Sequence, residues 1–189
     1  YGNNTLVWLR GHQVVRGTTR IWDAATDTSR TITRAGGWPE DWSGSGALVL
    51  TNGNERGNIS VWDREGGLRK TDLTGFSPDW SPSGSRLVFT TRWYRGRGAV
   101  QSACADGRYI RQLTPRVKDV EAPVWSPDGS TIAVSVFDAH MATADTYLLP
   151  ADQAQPAPRA AWKRVVVNGS AIDWQAVPGT EPSSGGSAC

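Results

Sequence analysis

Metal-binding and redox side chains are scarce in this chain, whose 189 residues hold two cysteines and two histidines. Cys104 and Cys189 permit one disulfide, but a single distant pair lacks the close spacing of a zinc site. Charge of one sign is missing too. Twenty Lys and Arg against 18 Asp and Glu leave a net charge of +2, far from the basic excess of a dedicated nucleic-acid binder. No apolar run nears the roughly 18 residues that cross a bilayer, so no membrane span is expected. No signal-peptide core opens the chain, which begins at Tyr1 rather than Met and therefore reads as a mature or trimmed product. Sustained 3.6-residue periodicity with caps is absent, which predicts very little helix. Nucleophile elbows, Walker loops, H-E-x-x-H strings and paired-carboxylate motifs are absent as well, so the chain is read as non-enzymatic, with no cofactor and no metal.

What is present is turn-rich and aromatic. Glycine and proline number 21 and 11, hydrophobic residues make up 38% and charged residues 20%, which fits one globular domain and excludes a disordered chain. The outlier is the count of ten tryptophans, and an internal repeat explains much of it. Asp41-Trp42-Ser43-Gly44-Ser45-Gly46 recurs as Asp79-Trp80-Ser81-Pro82-Ser83-Gly84 and as Val124-Trp125-Ser126-Pro127-Asp128-Gly129. A degenerate copy, Asp173-Trp174-Gln175, lies near the C-terminus, giving Trp spacings of 38, 45 and 49 residues. A second element, Ile21-Trp22-Asp23, returns 40 residues on as Val61-Trp62-Asp63.

Each unit reads as four short strands. A Trp-bearing strand ends in a Ser-Pro-Asp-Gly turn, where Pro presets φ and Gly accepts a positive φ. A β-rich run such as Leu87-Val88-Phe89 follows, then a variable loop, a third strand such as Ile59-Ser60-Val61-Trp62, a second turn, and a polar fourth strand such as residues 109–113. Asp128-Gly129 and Asp106-Gly107 are turns, since no D-x-D-x-D-G calcium loop accompanies them. Four-stranded units at this period predict β-propeller blades.

Residues 125–133, W-S-P-D-G-S-x-I-A, resemble the repeat of TolB-type, WD-like β-propellers. Residues 80–88 match with Ser83 in place of the Asp, and residues 42–49 match less well. The resemblance covers nearly the whole chain to about residue 178. It implies a scaffold or recognition role, with a protein as partner, outside the cytoplasm (periplasmic, cell-surface or secreted); the alternatives are a glycan-binding, lectin-like propeller and the non-catalytic propeller domain of a larger peptidase.

Strand order suggests how such a ring closes. Residues 5–10 match a second strand with no first strand before it, and residues 172–176 match a first strand with nothing after it. Together they complete one blade, a latch that hides sheet edges. The expected blades are 4–34 plus 171–177, 35–74, 75–115 and 116–168, with 179–189 a Ser/Gly/Pro-rich flexible tail. A ring closed at four blades and an arc of a larger ring both satisfy this pattern.

Connections between second and third strands, residues 11–19, 52–58, 92–98 and 138–145, should crowd one rim, where loops vary while blades hold them in place. There Arg92, Trp93, Tyr94, Arg95 and Arg97 interleave guanidiniums with aromatics, a composition suited to a protein hot spot, or to a carbohydrate with Trp93 or Tyr94 as stacking platform. The plainer alternative is a solvated hairpin. Arg56, His12 and His140 join the same rim. With Asp138 and Asp145 nearby, the histidines offer a metal or general-base site, against the plainer reading of separate exposed imidazoles. Trp42, Trp80, Trp125 and Trp174 are expected to pack between blades rather than stack on a ligand. Cys104 falls on a third strand, where a small buried thiol is expected; a bridge to Cys189 requires the tail to fold back.

Overall fold

The computed structural model describes residues 5–10 (backbone), 18–23, 26–33, 37–52, 57–63, 65, 67–92, 96–138, 140, 142–170, 173–174 and 189. Their architecture is all-β. A first antiparallel sheet has three strands, β1 (Thr5–Arg10), β2 (Thr18–Asp23) and β3 (Thr28–Thr33). A four-stranded meander follows: β4 (Trp38–Trp42), β5 (Leu48–Thr51), β6 (Asn58–Asp63) and β7 (Gly67–Thr74). The next sheet holds β8 (Phe76–Trp80), β9 (Arg86–Thr90), β11 (Val100–Cys104) and β12 (Arg111–Gln112). Two short strands outside it, β10 (Arg97–Gly98) and β13 (Val117–Lys118), pair with each other. The last sheet is β14 (Val120–Trp125), β15 (Thr131–Phe137), β16 (Ala144–Pro150) and β17 (Lys163–Val166).

Every residue of β5 and β9 is buried, whereas every residue of β17 is exposed. A strand covered on both faces reads as a continuous apolar run, which is why Leu48-Val49-Leu50 and Leu87-Val88-Phe89 lack alternation. The covering faces belong to neighbouring sheets. Val49, Ile59 and Val61 of the second sheet pack with Trp80, Leu87 and Phe89 of the third. Val88 and Val100 of the third pack with Trp125, Ile132 and Val134 of the fourth. Ile21 of the first meets Leu48, Leu50 and Trp62 of the second, with Trp42 edge-on to Trp62 at 6.1 Å. Trp80 and Trp125 therefore pack between blades, as the repeat predicts, and their faces are closed to a stacking ligand.

The turns follow the repeat's chemistry. Asp128 Oδ1 accepts from Ser126 Oγ and from the Ser130 amide, at 2.6 and 2.9 Å, and Gly129 takes φ +72°. The expected fourth strand at 109–113 shortens to Arg111–Gln112, because Tyr109 adopts φ +53° and breaks the ladder. Cys104 is not a free thiol. It is bonded to Cys189 across 85 residues of sequence, with the two Cα atoms 5.6 Å apart. Of the latch residues, Asp173 and Trp174 are described and lie in no strand; the remainder of 171–177 falls outside the described residues.

Candidate partner-binding face

The connection from β9 to β11 is built on a narrow hairpin. Thr91 and Ala99 bond reciprocally, the Thr91 amide to the Ala99 carbonyl and the Ala99 amide to Thr91 Oγ1, each at 2.9 Å. The Arg92 side chain runs over two glycines: a Cβ on Gly96 would stand 2.7 Å from Arg92 Cδ, and one on Gly98 3.3 Å from Arg92 Cβ. Glycine at these places leaves room for the arginine stem. Arg92 and Arg97 are both exposed.

Asp119 pins this hairpin, and sequence reasoning missed it. Its buried carboxylate accepts from the Gly96 amide at 3.1 Å, while its own amide donates to the Gly96 carbonyl at 2.9 Å. Its carbonyl accepts from the Phe137 amide at 2.9 Å, at the end of β15. One residue thus ties the arginine hairpin to the strand that leads into the loop of His140. Asp119 sits at φ +54°, a conformation Asp tolerates better than most residues. A signal existed in the Asp between two valine-bearing strand runs, but its partner lies 23 residues away.

His140 is exposed, and its amide donates to Asp138 Oδ1 at 3.0 Å. Asp138 also accepts from the Ala142 amide and the Thr143 hydroxyl, and these bonds, the Ala142 amide foremost, hold its carboxyl below the usual range. Asp145 is held low by the Asn168 amide first and by Arg164, 3.2 Å away. Both acids are spent on loop and strand structure. Among the described residues no group of three His, Cys, Asp or Glu is placed to hold a metal ion. Trp93, Tyr94, Arg95, Arg56 and His12 lie outside the described residues.

The opposite, turn-bearing ends of the sheets carry a second constellation that the repeat contained but sequence reasoning did not use. Asp41 accepts from the Trp80 amide of the next sheet at 2.9 Å as well as from its own Trp42 amide at 2.7 Å. Asp79 repeats the reach, accepting from the Trp125 amide at 2.8 Å. The two carboxyls also hydrogen-bond each other, and Asp173 adds a third negative charge nearby. Burial, followed by the mutual repulsion, pushes Asp79 up to about 8 and raises Asp41. Val124 stands where the next acid would be, so the ladder of carboxyls stops there. At the same end Tyr109 and Ile110 are exposed, 68% and 54%, between Arg108 and Arg111.

Sheets in sequence order, the third and fourth each wedged on the preceding sheet by a tryptophan and stitched to it by an aspartate of that sheet's inner strand, define a β-propeller. The chain aligns with curated relatives: over 85 residues it is 30% identical to the Tol-Pal system protein TolB of Nitrosospira multiformis, covering 43% of this chain and 19% of that protein. Its repeat is similar to that of TolB. TolB from Acinetobacter baumannii superposes with a TM-score of 0.64 at 18% identity, over 89% of this chain and 43% of that one. The fold also matches an acylaminoacyl peptidase of Pyrococcus horikoshii, TM-score 0.59 at 14% identity, over 87% of this chain and 30% of that one. The chain thus spans about a fifth of the curated relative and under half of the superposed TolB. No family model matches it.

Proposed function

We propose that the chain is a non-enzymatic, extracytoplasmic recognition propeller that binds a protein partner through the loop-bearing ends of its blades. The carrying observation is the hairpin after β9, which displays Arg92 and Arg97 on a base pinned by the buried Asp119. Trp93, Tyr94 and Arg95 lie between them in sequence, and Arg56, His12 and His140 contribute from neighbouring loops. Arginines interleaved with aromatics concentrate binding energy in few residues. Likeness to a protein named for the Tol-Pal system supports a protein partner. A disulfide supports an oxidising, extracytoplasmic setting. We infer closure at four blades, with an arc of a larger ring as the alternative; the electrostatic closeness of Asp173 to Asp41 supports closure.

The test is a pull-down from cell-envelope extract with wild type and with Trp93→Ala/Arg95→Ala, followed by Kd measurement on the captured protein. The double variant is expected to lose at least about 2 kcal/mol of binding, more than tenfold in Kd, while its melting temperature holds. Undiminished capture, hydrolysis of peptides by the chain alone, or binding on a glycan array competed by free saccharide overturns the reading.

A further inference from the structure

The third blade carries a buried cation beside its disulfide. Arg86 opens β9 and stands directly across from Cys104 of β11 in the strand register. It is buried, with Nη2 donating to Ser102 Oγ at 2.9 Å and Nη1 3.8 Å from Cys189 Sγ. Among the described residues no carboxylate comes within ion-pair distance of it; Asp152 is taken by Arg111 at 2.6 Å. The repeat shows that this arginine is not required by the blade. The matching turn-closing residue, whose carbonyl accepts from the Trp-following serine, is Ala47 in the second sheet and Thr131 in the fourth. The place of Cys104 is taken there by Asp63 and Pro150. Cation and cysteine occur together, in the one blade that has the bridge.

Burial and the charge of Arg111 disfavour the guanidinium, Asp152 offsets this only in part, and a neutral disulfide does little to relieve it. A thiolate would relieve it, and a neighbouring Arg is what lowers a thiol's pKa and improves it as a leaving group. Access is unequal. Cys104 is 2% exposed, whereas Cys189 is exposed. We propose that Cys104–Cys189 is a thiol-exchange site opened by a dithiol reductant, with Arg86 as the residue that stabilises the departing Cys104 sulfur. A thiolate of the dithiol attacks Cys189 Sγ, the bond between the two cysteines breaks, and its electron pair leaves on Cys104 Sγ as a thiolate, on the residue paired with Arg86 across the strands. The dithiol's second sulfur then attacks the mixed disulfide and releases Cys189, which takes up a proton. Two electrons pass to the protein, and the dithiol departs as its cyclic disulfide. Opening removes the covalent anchor that joins the chain beyond Trp174 to the third blade.

The full-length protein is equilibrated in graded ratios of reduced to oxidised dithiothreitol, trapped by alkylation and read by mass. Wild type and Arg86→Lys are expected to open together, and Arg86→Gln to require at least about tenfold more reductant, the effect of one thiol acidity unit. Equal midpoints for all three variants overturn the proposal and leave an inert staple. If Arg86→Gln does not fold, the decision falls to Cys189→Ser, in which the lone Cys104 is alkylated across a pH series. A titration well below the usual thiol value of about 8.5 sustains the proposal, and an ordinary or raised value overturns it. Limited proteolysis of reduced wild type is expected to trim the chain after residue 174 while the blades stay intact; unchanged resistance overturns the release of the C-terminal anchor.

Discussion

At the scale of single residues, Asp79 carries the clearest consequence. Folded, it keeps its proton to about 8, while the unfolded chain releases it near 3.8. Between those values the folded state binds more protons. The stabilising contribution is therefore complete in acid, below the lower value, and is lost as pH rises through the upper one. Melting temperature is expected to fall between about pH 5 and about pH 8.5. Asp79→Asn keeps an oxygen for the Trp125 amide and presents an N–H to Asp41, the arrangement of the protonated acid. Differential scanning calorimetry is expected to show the variant at or above wild type at the alkaline end, with a flatter pH profile. A wild-type profile without slope would show that the pair does not share a proton.

Elements depend on where loops and strands are pinned to each other. Asp119 holds the hairpin of Arg92 and Arg97 against β15, so Asp119→Ala leaves the Gly96 amide without its acceptor and places alanine at positive φ. The expected loss is about 2 kcal/mol in denaturant unfolding. Asp119→Asn, which supplies an oxygen and tolerates that conformation, should recover most of it. The junction between the second and third sheets is tighter still. A Cβ on Gly75 would stand 2.3 Å from Phe89 Cδ2 and 2.7 Å from the Thr90 carbonyl. Gly75→Ala must displace backbone, at an expected cost of about 1–3 kcal/mol by the same measurement.

For the whole molecule the issue is closure. Among the described residues the first sheet has three strands where the other main sheets have four, and Asp173 lies near the aspartates of the second and third sheets. Light scattering after size exclusion is expected to give a monomer of 20.4 kDa with one cooperative melt. A dimer would mean that the open edge is completed by another copy. Truncation after residue 170 should abolish the cooperative monomer, because it removes Asp173, Trp174 and the disulfide partner together.

The sequence by itself determined the blade. Trp-Ser-Pro-Asp-Gly, the apolar run after it and the second turn act within a few residues, so their physics is local and the repeat exposes it three times over. The packing role of Trp80 and Trp125 followed from their fixed place in that repeat. Only the tertiary structure decided what joins one blade to the next: the reach of Asp41 and Asp79 to the following tryptophan amides, Asp119 beneath the arginine hairpin, and Arg86 beside a disulfide spanning 85 residues. Each of these is a polar group whose meaning depends on a partner tens of residues away. Burial, the condition that makes such a partner matter, exists only once the sheets have packed.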